Sequence, residues 1–486
     1  MNPVTASRAY VRRDSNVLLF LVCLAQFMVI LDVSIVNVAL PAIRDGLGFS
    51  TTGLQWVINA YTITFAGFLL LGGRASDLLG RRRVFLAGTA LFTTASLVCA
   101  IAGSPAVLLG SRAVQGLGGA VISAASLAII TTSFEEGASR NRALGVWGAL
   151  GGLGATSGVL LGGVLTQALG WPAIFVINVP IGLAVVAFGG RAIPEGRSAL
   201  GHRHFDVTGA LLVTAGMVTL VYGIVRTDVL GWGSAGVLVP LVAGILLLAG
   251  FGLVEGKLAE APLMPLRVFR LRPLRSANAV IVLLYSAVFA MWFFVSIYMQ
   301  QDLHHDAIQT GLLFLPMTLA VALAATIAPR LVRRVGARPV LTAGMLSATA
   351  GLALLTGVRP DGTYLAQVLP GGTLSAFGLG LALVPATIVA VQGVPAAQSG
   401  LASGLLNTSR LVGGALGLAV LTTIATSHAH ARLAEGASAA VAQTDGYQLA
   451  FVVGAALCLL GAVAAAVLLR PRREPAQARE LAEARG

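Results

Sequence analysis

The sequence predicts an all-α polytopic membrane protein: fourteen transmembrane helices, in two six-helix halves with an inserted helix pair. Three observations predict it. Of 486 residues, 57% are hydrophobic and 10% charged, and the mean hydropathy is +0.88; a soluble domain carries about 25% charged residues. Apolar runs recur along the chain, each near the roughly 20 residues that a helix needs to cross a bilayer. The basic residues fall in alternate connections between those runs, the bias that orients helices in a membrane.

In order, the runs are 17–41, 51–72, 84–103, 105–131, 142–166 and 171–190, then the pair 206–226 and 235–254, then 275–299, 309–329, 339–358, 364–390, 401–425 and 448–469. The first is too long for the apolar core of a cleavable leader, so it is expected to remain as helix 1. An even number of crossings puts both termini on one side. With that side cytoplasmic, the inner segments hold Arg8, Arg12 and Arg13; Arg74, Arg81, Arg82 and Arg83; Arg140 and Arg142; Arg191, Arg197 and Arg203. Further along they hold Lys257, Arg267, Arg270, Arg272 and Arg275; Arg330, Arg333, Arg334 and Arg338; and Arg470, Arg472, Arg473, Arg479 and Arg485. The outer loops hold Arg44, Arg226, Arg359 and Arg432. The expected location is therefore a bacterial inner (cell) membrane, with both termini cytoplasmic. The formal charge of +13 marks topology and implies no nucleic-acid partner.

The expected boundaries are a first half at 1–200, the inserted pair with its linker at 201–274, a second half at 275–470, and a charged, disordered cytoplasmic tail at 471–486. An internal echo supports the halves. The connection after helix 2 reads Gly73-Arg-Ala-Ser-Asp77-Leu-Leu-Gly80-Arg81-Arg82-Arg83-Val84, and that after helix 10 reads Pro329-Arg-Leu-Val-Arg333-Arg-Val-Gly336-Ala337-Arg338-Pro339-Val340. The glycine and its basic surroundings recur, while Asp77 becomes Arg333.

Asp32 is the acid that stands deep in a run, and a carboxylate there costs about 2.5–3.5 kcal/mol on insertion scales. It lies nine residues before Pro41, and Arg112 lies seven residues after Pro105. At 1.5 Å per residue these are depths of roughly 13 and 10 Å from the outer ends of helices 1 and 4. Burial disfavours a charged carboxylate and a nearby arginine favours it, so a site held between those pressures can load and release a proton. The alternative is a structural ion pair. Gln115 lies one turn from Arg112 on the same face, as a cavity residue or as a plain helix–helix hydrogen bond.

Several motifs carry a family resemblance. Gly73, Asp77, Gly80, Arg81, Arg82 and Arg83 match the loop motif of the major facilitator superfamily. Leu31-Asp32 through Asn37 to Pro41 is similar to the first-helix signature of its fourteen-helix drug:proton antiporters. Gln55-Trp56 and Tyr61, Arg112-x-x-Gln115-Gly116, Trp171 to Gly182, and Ser403 to Gly414 resemble its helices 2, 4, 6 and 13. Gly154, Gly158, Gly162 and Gly163 fit the antiporter motif of helix 5, although Val159 stands where that motif has proline. The resemblance implies a proton-coupled exporter of small drugs or antibiotics working by alternating access, with Asp32 and Arg112 as its proton site. It also implies a gating role for the Gly73–Arg83 loop, and a helix 5 glycine face that meets a helix of the other half.

Gln26, Asn37, Asn59, Tyr61, Gln115, Asn178, Asn407 and Arg410 are the expected substrate-cavity residues, with Trp292 and Tyr298 held as cavity or interface aromatics. Arg410 is expected some 14 Å deep, where with Arg112 it can attract an anionic group. Cys23, Cys99 and Cys458 lie in apolar runs without paired spacing and read as core residues. His304-His305 and His428 to His430 lack the rest of a ligand set. Lys257, the one lysine, is followed by Leu258, so no phosphate-gripping G-K-[ST] exists and an ion gradient is the expected energy source. The expected partners are a small-molecule substrate, protons and the lipid bilayer. No cofactor, metal or enzymatic chemistry is expected, and the chain is expected to be a monomer. Two other readings stay open: transport of a metabolite or lipid, and a non-transporting membrane sensor on the same fold.

Overall fold

The computed structural model describes residues 3–134, 138–195, 206–259, 270–391 and 399–468. The tail 471–486 lies outside them, as does the side chain of Asp77. Among the described residues there is no strand. The helices join into rods: α1 (Pro3–Leu47), α2 (Trp56–Leu79, entered through Thr51–Leu54), α3 (Arg81–Ala100), α4 (Pro105–Ser133), α5 (Ala138–Leu169) and α6 (Asn178–Ala192, entered through Ala173–Val176). Next come α7 (Val207–Leu230) and α8 (Ala235–Leu253). The last six are α9 (Arg272–Gln301), α10 (Leu315–Val335, entered through Ala307–Leu313), α11 (Ala337–Leu355), α12 (Leu369–Val391), α13 (Ser399–Ala434) and α14 (Ala439–Leu468). Over the described residues, twelve are long and apolar enough to cross a membrane, and α2 and α5 add the shorter apolar stretches Trp56–Leu69 and Thr156–Leu169. The molecule is a multi-pass membrane protein.

The end of the bundle holding the 47–51, 101–105 and 301–307 turns is the distal end, the one that loop charge assigns to the outside. The opposite end is proximal. Several boundaries differ from expectation. Helix α2 runs to Leu79, so Gly73 to Leu79 is helix and not loop. Gly80 alone makes the turn, at φ +105°, and Arg81 already begins α3. The echo obeys the same geometry: α10 continues through Pro329, Gly336 turns at φ +88°, and Ala337 begins α11. A left-handed backbone favours glycine at both turns, which is why this residue recurs and Asp77 does not.

Helix α1 continues past Pro41 to Leu47. Proline has no N–H to give the carbonyl four residues earlier, here that of Asn37. The freed carbonyl accepts from Ser296 Oγ of α9 at 2.6 Å, and Gln300 Nε2 donates to Val38 O at 3.0 Å. The proline of the first-helix motif thus exposes one backbone acceptor, the Asn37 carbonyl, to a helix of the last six. Ile308 N adds a bond to Gln167 Oε1 at 3.2 Å. Around these bonds one apolar cluster runs across both groups of helices, taking Ile35, Val38 and Leu40 with Val295, Ile297 and Met299. The distal seam is therefore closed. Proximally, Leu18, Val22 and Met28 of α1 join a different cluster, with Phe85, Ile129 and Ala143 of the first six helices.

The inserted pair is a bridge. Met217, Val221 and Val225 of α7 pack with Ile63 of α2 and with Ala415 and Ala419 of α13. Outward, α8 presents Leu238, Val239, Val242, Ile245 and Leu246, an apolar surface suited to lipid rather than water.

Candidate functional site

Four helices meet at Asp32. Its side chain has no exposed surface, and Arg112 keeps 1% of its own. Arg112 Nη1 lies 2.5 Å from Asp32 Oδ2. Asp32 Oδ1 accepts from Gln115 Nε2 at 2.8 Å and from Asn178 Nδ2 at 3.0 Å. Gln115 is oriented by its neighbours: its oxygen accepts from Arg112 Nη1 at 2.7 Å, and its nitrogen also donates to Ser96 Oγ at 2.7 Å. The carboxylate thus ties α1 to α4 and α6 directly, and to α3 through Gln115 and Ser96.

Arg112 is held by its backbone and ring neighbours as well. Its Nε donates to Val57 O at 2.9 Å, and its guanidinium carbon lies 4.5 Å from the centre of the Tyr61 ring and 5.7 Å from that of Phe175. Such packing is possible because Gly116 and Gly119 let α2 approach: a Cβ at Gly116 would stand 2.3 Å from Tyr61 O, and one at Gly119 2.7 Å from the Tyr61 hydroxyl. Two charges out of water each carry a desolvation penalty of several kcal/mol, offset only by close pairing and full hydrogen bonding. Here the pairing is close and both Asp32 oxygens accept hydrogen bonds, while Asn178 Oδ1 and the Tyr61 hydroxyl are buried without a partner. The carboxylate, the guanidinium and the two amides form one hydrogen-bonded unit.

The structure brings Asp32, Arg112, Gln115, Asn178 and Tyr61 together. Ser96 belongs with them and was not expected. The other expected cavity residues make no hydrogen bond to this cluster. Gln26 and Asn37 share a face of α1 turned away from Asp32, since they stand six residues before it and five after. Asn37 Nδ2 bonds back to Val33 O at 3.1 Å, and Gln26 is buried. Asn59 is fully buried, and its amide has no hydrogen-bond partner. Asn407 is half-buried, one turn before Arg410. Arg410 lies over the Tyr285 ring at 4.8 Å.

The helix 5 glycines divide in two. Cβ atoms at Gly154, Gly158 and Gly162 would stand 2.6–2.8 Å from Ile30, Ser34 and Ile35 of α1, so these three seat α5 on α1 of its own half. The expectation that this face meets the other half fails for them: α1 and α5 lie side by side, and a four-residue glycine spacing serves that contact equally well. Gly163 faces the other way, its Cβ position 2.3 Å from Ala307 O. At the proximal end, Arg82 donates to Glu195 Oε2 at 3.1 Å and to Gly190 O at 3.2 Å, and Arg83 Nε lies 3.6 Å from Glu195 Oε2. These contacts fasten the Gly80 turn to the end of α6.

A second acid stands out beyond the spans. Asp302 caps α9 at the distal end, and its Oδ2 is buried without a hydrogen-bond partner. Burial pushes this carboxyl up to about 6. A raised acid stabilises the fold below its unfolded value, and that contribution is lost as pH rises through the folded one. Asp302→Asn is therefore expected to be more stable than the wild type at neutral pH, with the gap closing as pH falls to about 4. Thermal melts of the two purified proteins across that range check it.

A family model described as Major Facilitator Superfamily matches residues 22–418 and, in a second match, 280–485. The chain is similar to the cephamycin export protein CmcT of Amycolatopsis lactamdurans: 42% identical over 422 residues, covering 86% of this chain and 87% of that protein. It is also similar to the puromycin resistance protein pur8 of Streptomyces alboniger, 38% identical over 465 residues, covering 94% and 92%. Among solved structures it resembles an auto-inhibited POT family peptide transporter, with a TM-score of 0.69 and 17% identity, covering 94% of this chain and 98% of that one. At that identity the likeness is one of fold.

Proposed function

The chain belongs to the major facilitator superfamily, and from that premise we propose a proton-coupled antiporter that exports small amphipathic drugs or antibiotics across a bacterial inner membrane. The observation that carries the reading is the Asp32 cluster: a fully buried carboxylate, mid-helix, held by Arg112, Gln115 and Asn178. A merely structural helix contact does not need a buried ion pair, since apolar residues of similar volume often do as well or better. The export and resistance activities in the names of its relatives support the substrate class.

In this mechanism the halves 1–200 and 275–470 rock about the seam between them, a motion that exposes a midplane site alternately to each side. Both termini are cytoplasmic, so the distal end faces outward. The proton site and the distal closure share one rod: Asp32 and the Asn37 carbonyl lie five residues apart on α1. A proton reaching Asp32 from outside neutralises it, releases Arg112, and loosens the hold of α3, α4 and α6 on α1. Substrate arriving from the cytoplasm or inner leaflet favours the charged pair and sends the proton inward. The Gly73, Asp77, Gly80, Arg81, Arg82 and Arg83 motif serves as a proximal gate, with Glu195 as the anchor of Arg82. One chain is sufficient for the cycle.

Efflux of a panel of antibiotics from cells, with and without a protonophore, tests the reading. Wild type is expected to extrude at least one compound, and both the protonophore and Asp32→Asn are expected to abolish extrusion. Efflux that persists in energised Asp32→Asn cells would move the coupling site elsewhere.

A further inference from the structure

Among the described residues, the second six helices carry a cation deep in a helix with no ion-pair partner. The acids between residues 275 and 470 are Asp302, Asp306, Asp361, Glu435 and Asp445; the first four lie at distal turns and Asp445 in the first turns of α14. Arg410 stands far from them, eleven residues into α13. Among the described residues its guanidinium has no ion pair, and its buried Nε has no hydrogen-bond partner. Asp32 is taken by Arg112. The paired charges cancel, and Arg410 leaves one net positive charge.

Its surroundings are built rather than incidental. Arg410 sits over Tyr285 of α9 at 4.8 Å. Stacking of this kind leaves the edge donors of a guanidinium free for a planar anion. From Tyr285 an aromatic stripe runs distally along α9: Tyr285, Phe289 and Trp292, at i, i+4 and i+7, on one helix face. All three are half-buried. Phe289 lies across Gly414 of α13, and Trp292 stacks on Phe314 with ring centres 5.1 Å apart. Ser296, the next residue on that face, donates to Asn37 O of α1, so the stripe faces the first half. On α13, Leu411, the neighbour of Arg410, packs on the cluster of the first half. Arg410 and the stripe therefore line the seam between the halves.

The contact of Ser296 with Asn37 also sets the depth. Tyr285 lies eleven residues proximal to Ser296 and Asp32 five residues proximal to Asn37, which puts Arg410 about 9 Å nearer the proximal end than the proton site. We propose that this α9–α13 wall recognises the substrate, and that it selects a planar amphipathic carboxylate. Arg410 takes the carboxylate through charge-assisted hydrogen bonds, and Tyr285, Phe289 and Trp292 take the apolar body along roughly 10 Å of helix. A cationic substrate meets an unneutralised like charge instead. This inference rests on the exporter reading and adds the charge of what is exported.

The test is binding to the purified full chain of three probes of one shape: 2-naphthoate, 2-naphthamide and 2-naphthylmethylammonium. Wild type is expected to bind the carboxylate about tenfold or more tighter than the amide, with the ammonium weakest. Arg410→Gln is expected to bring the carboxylate down to the level of the amide, and Arg410→Lys to retain a preference for it. Equal binding of carboxylate and amide by wild type would overturn the proposal without recourse to any variant, as would a preference that survives in Arg410→Gln. The protonophore assay separates the two readings. Uncoupler-sensitive export without a carboxylate preference leaves the exporter and sinks this inference. A carboxylate preference lost in Arg410→Gln, without such export, upholds this site and sinks the exporter.

Discussion

Arg112→Ala is expected to destabilise the protein by about 3–5 kcal/mol, the cost of leaving one charge of a buried pair without its partner, and to abolish energised export. The substitution removes the Nη1 bond to Asp32, the Nε bond to Val57 O and the stacking on Tyr61 together. The loss should fall mainly on the stranded carboxylate. Asp32 would keep Gln115 and Asn178 as donors, and two neutral amides do not offset a buried charge. The double variant Asp32→Asn/Arg112→Ala should therefore be more stable than Arg112→Ala alone, with export still absent. Denaturation of the three purified proteins checks this. A single variant within about 1 kcal/mol of wild type would show that the pair behaves as a solvated surface ion pair.

Gly163→Val should have the next largest effect, and through the other half of the molecule. A Cβ at Gly163 would stand 2.3 Å from Ala307 O and 2.9 Å from Ile308 Cα, and one at Gly311 would stand 2.7 Å from Val159 O. These neighbours are backbone atoms, which cannot swing aside as a flexible side chain can. Overpacking of this kind costs about 1–3 kcal/mol. Because the clash exists only while the distal seam is closed, that cost biases the open arrangement by about 5- to 150-fold. The expected outcome is slow transport with helical content retained. The three native cysteines are buried, so Ser296→Cys reports on the seam: its reaction with an impermeant thiol reagent from outside should quicken when Gly163 becomes valine. Unchanged reactivity and transport would mean that this contact does not close the seam.

The membrane fold was legible because apolar runs of bilayer length leave few alternatives, and the two turning glycines because their neighbours repeat. Asp32 and Arg112 were legible for the same reason: charge in an apolar run needs a partner, and these two lie at matching depth. Gln115 followed from one helical turn. Asn178 was visible as a polar residue, but its bond to Asp32 depends on how α6 packs. Ser96 left no mark, since a serine in an apolar helix commonly bonds to its own backbone, and Ser96 also donates to Phe92 O. Gln26 and Asn37 show the converse. They lie on the same helix as Asp32 and face another way, which polarity alone cannot tell. The α5 glycines marked a close contact without saying with which helix, and the role of Pro41 emerged only with Ser296 beside the carbonyl it frees.

The most direct test of Asp32 as the coupling site is proton movement itself, in proteoliposomes containing the purified full chain and a pH-sensitive dye. With wild type, an imposed pH gradient should drive accumulation of a substrate found in the efflux panel, and adding that substrate should release protons. Asp32→Asn should do neither, because its neutral side chain has no proton to exchange and mimics the proton-loaded state. If Asp32→Asn still couples substrate to the pH gradient, Asp32 is not the coupling site and the buried pair is a structural one.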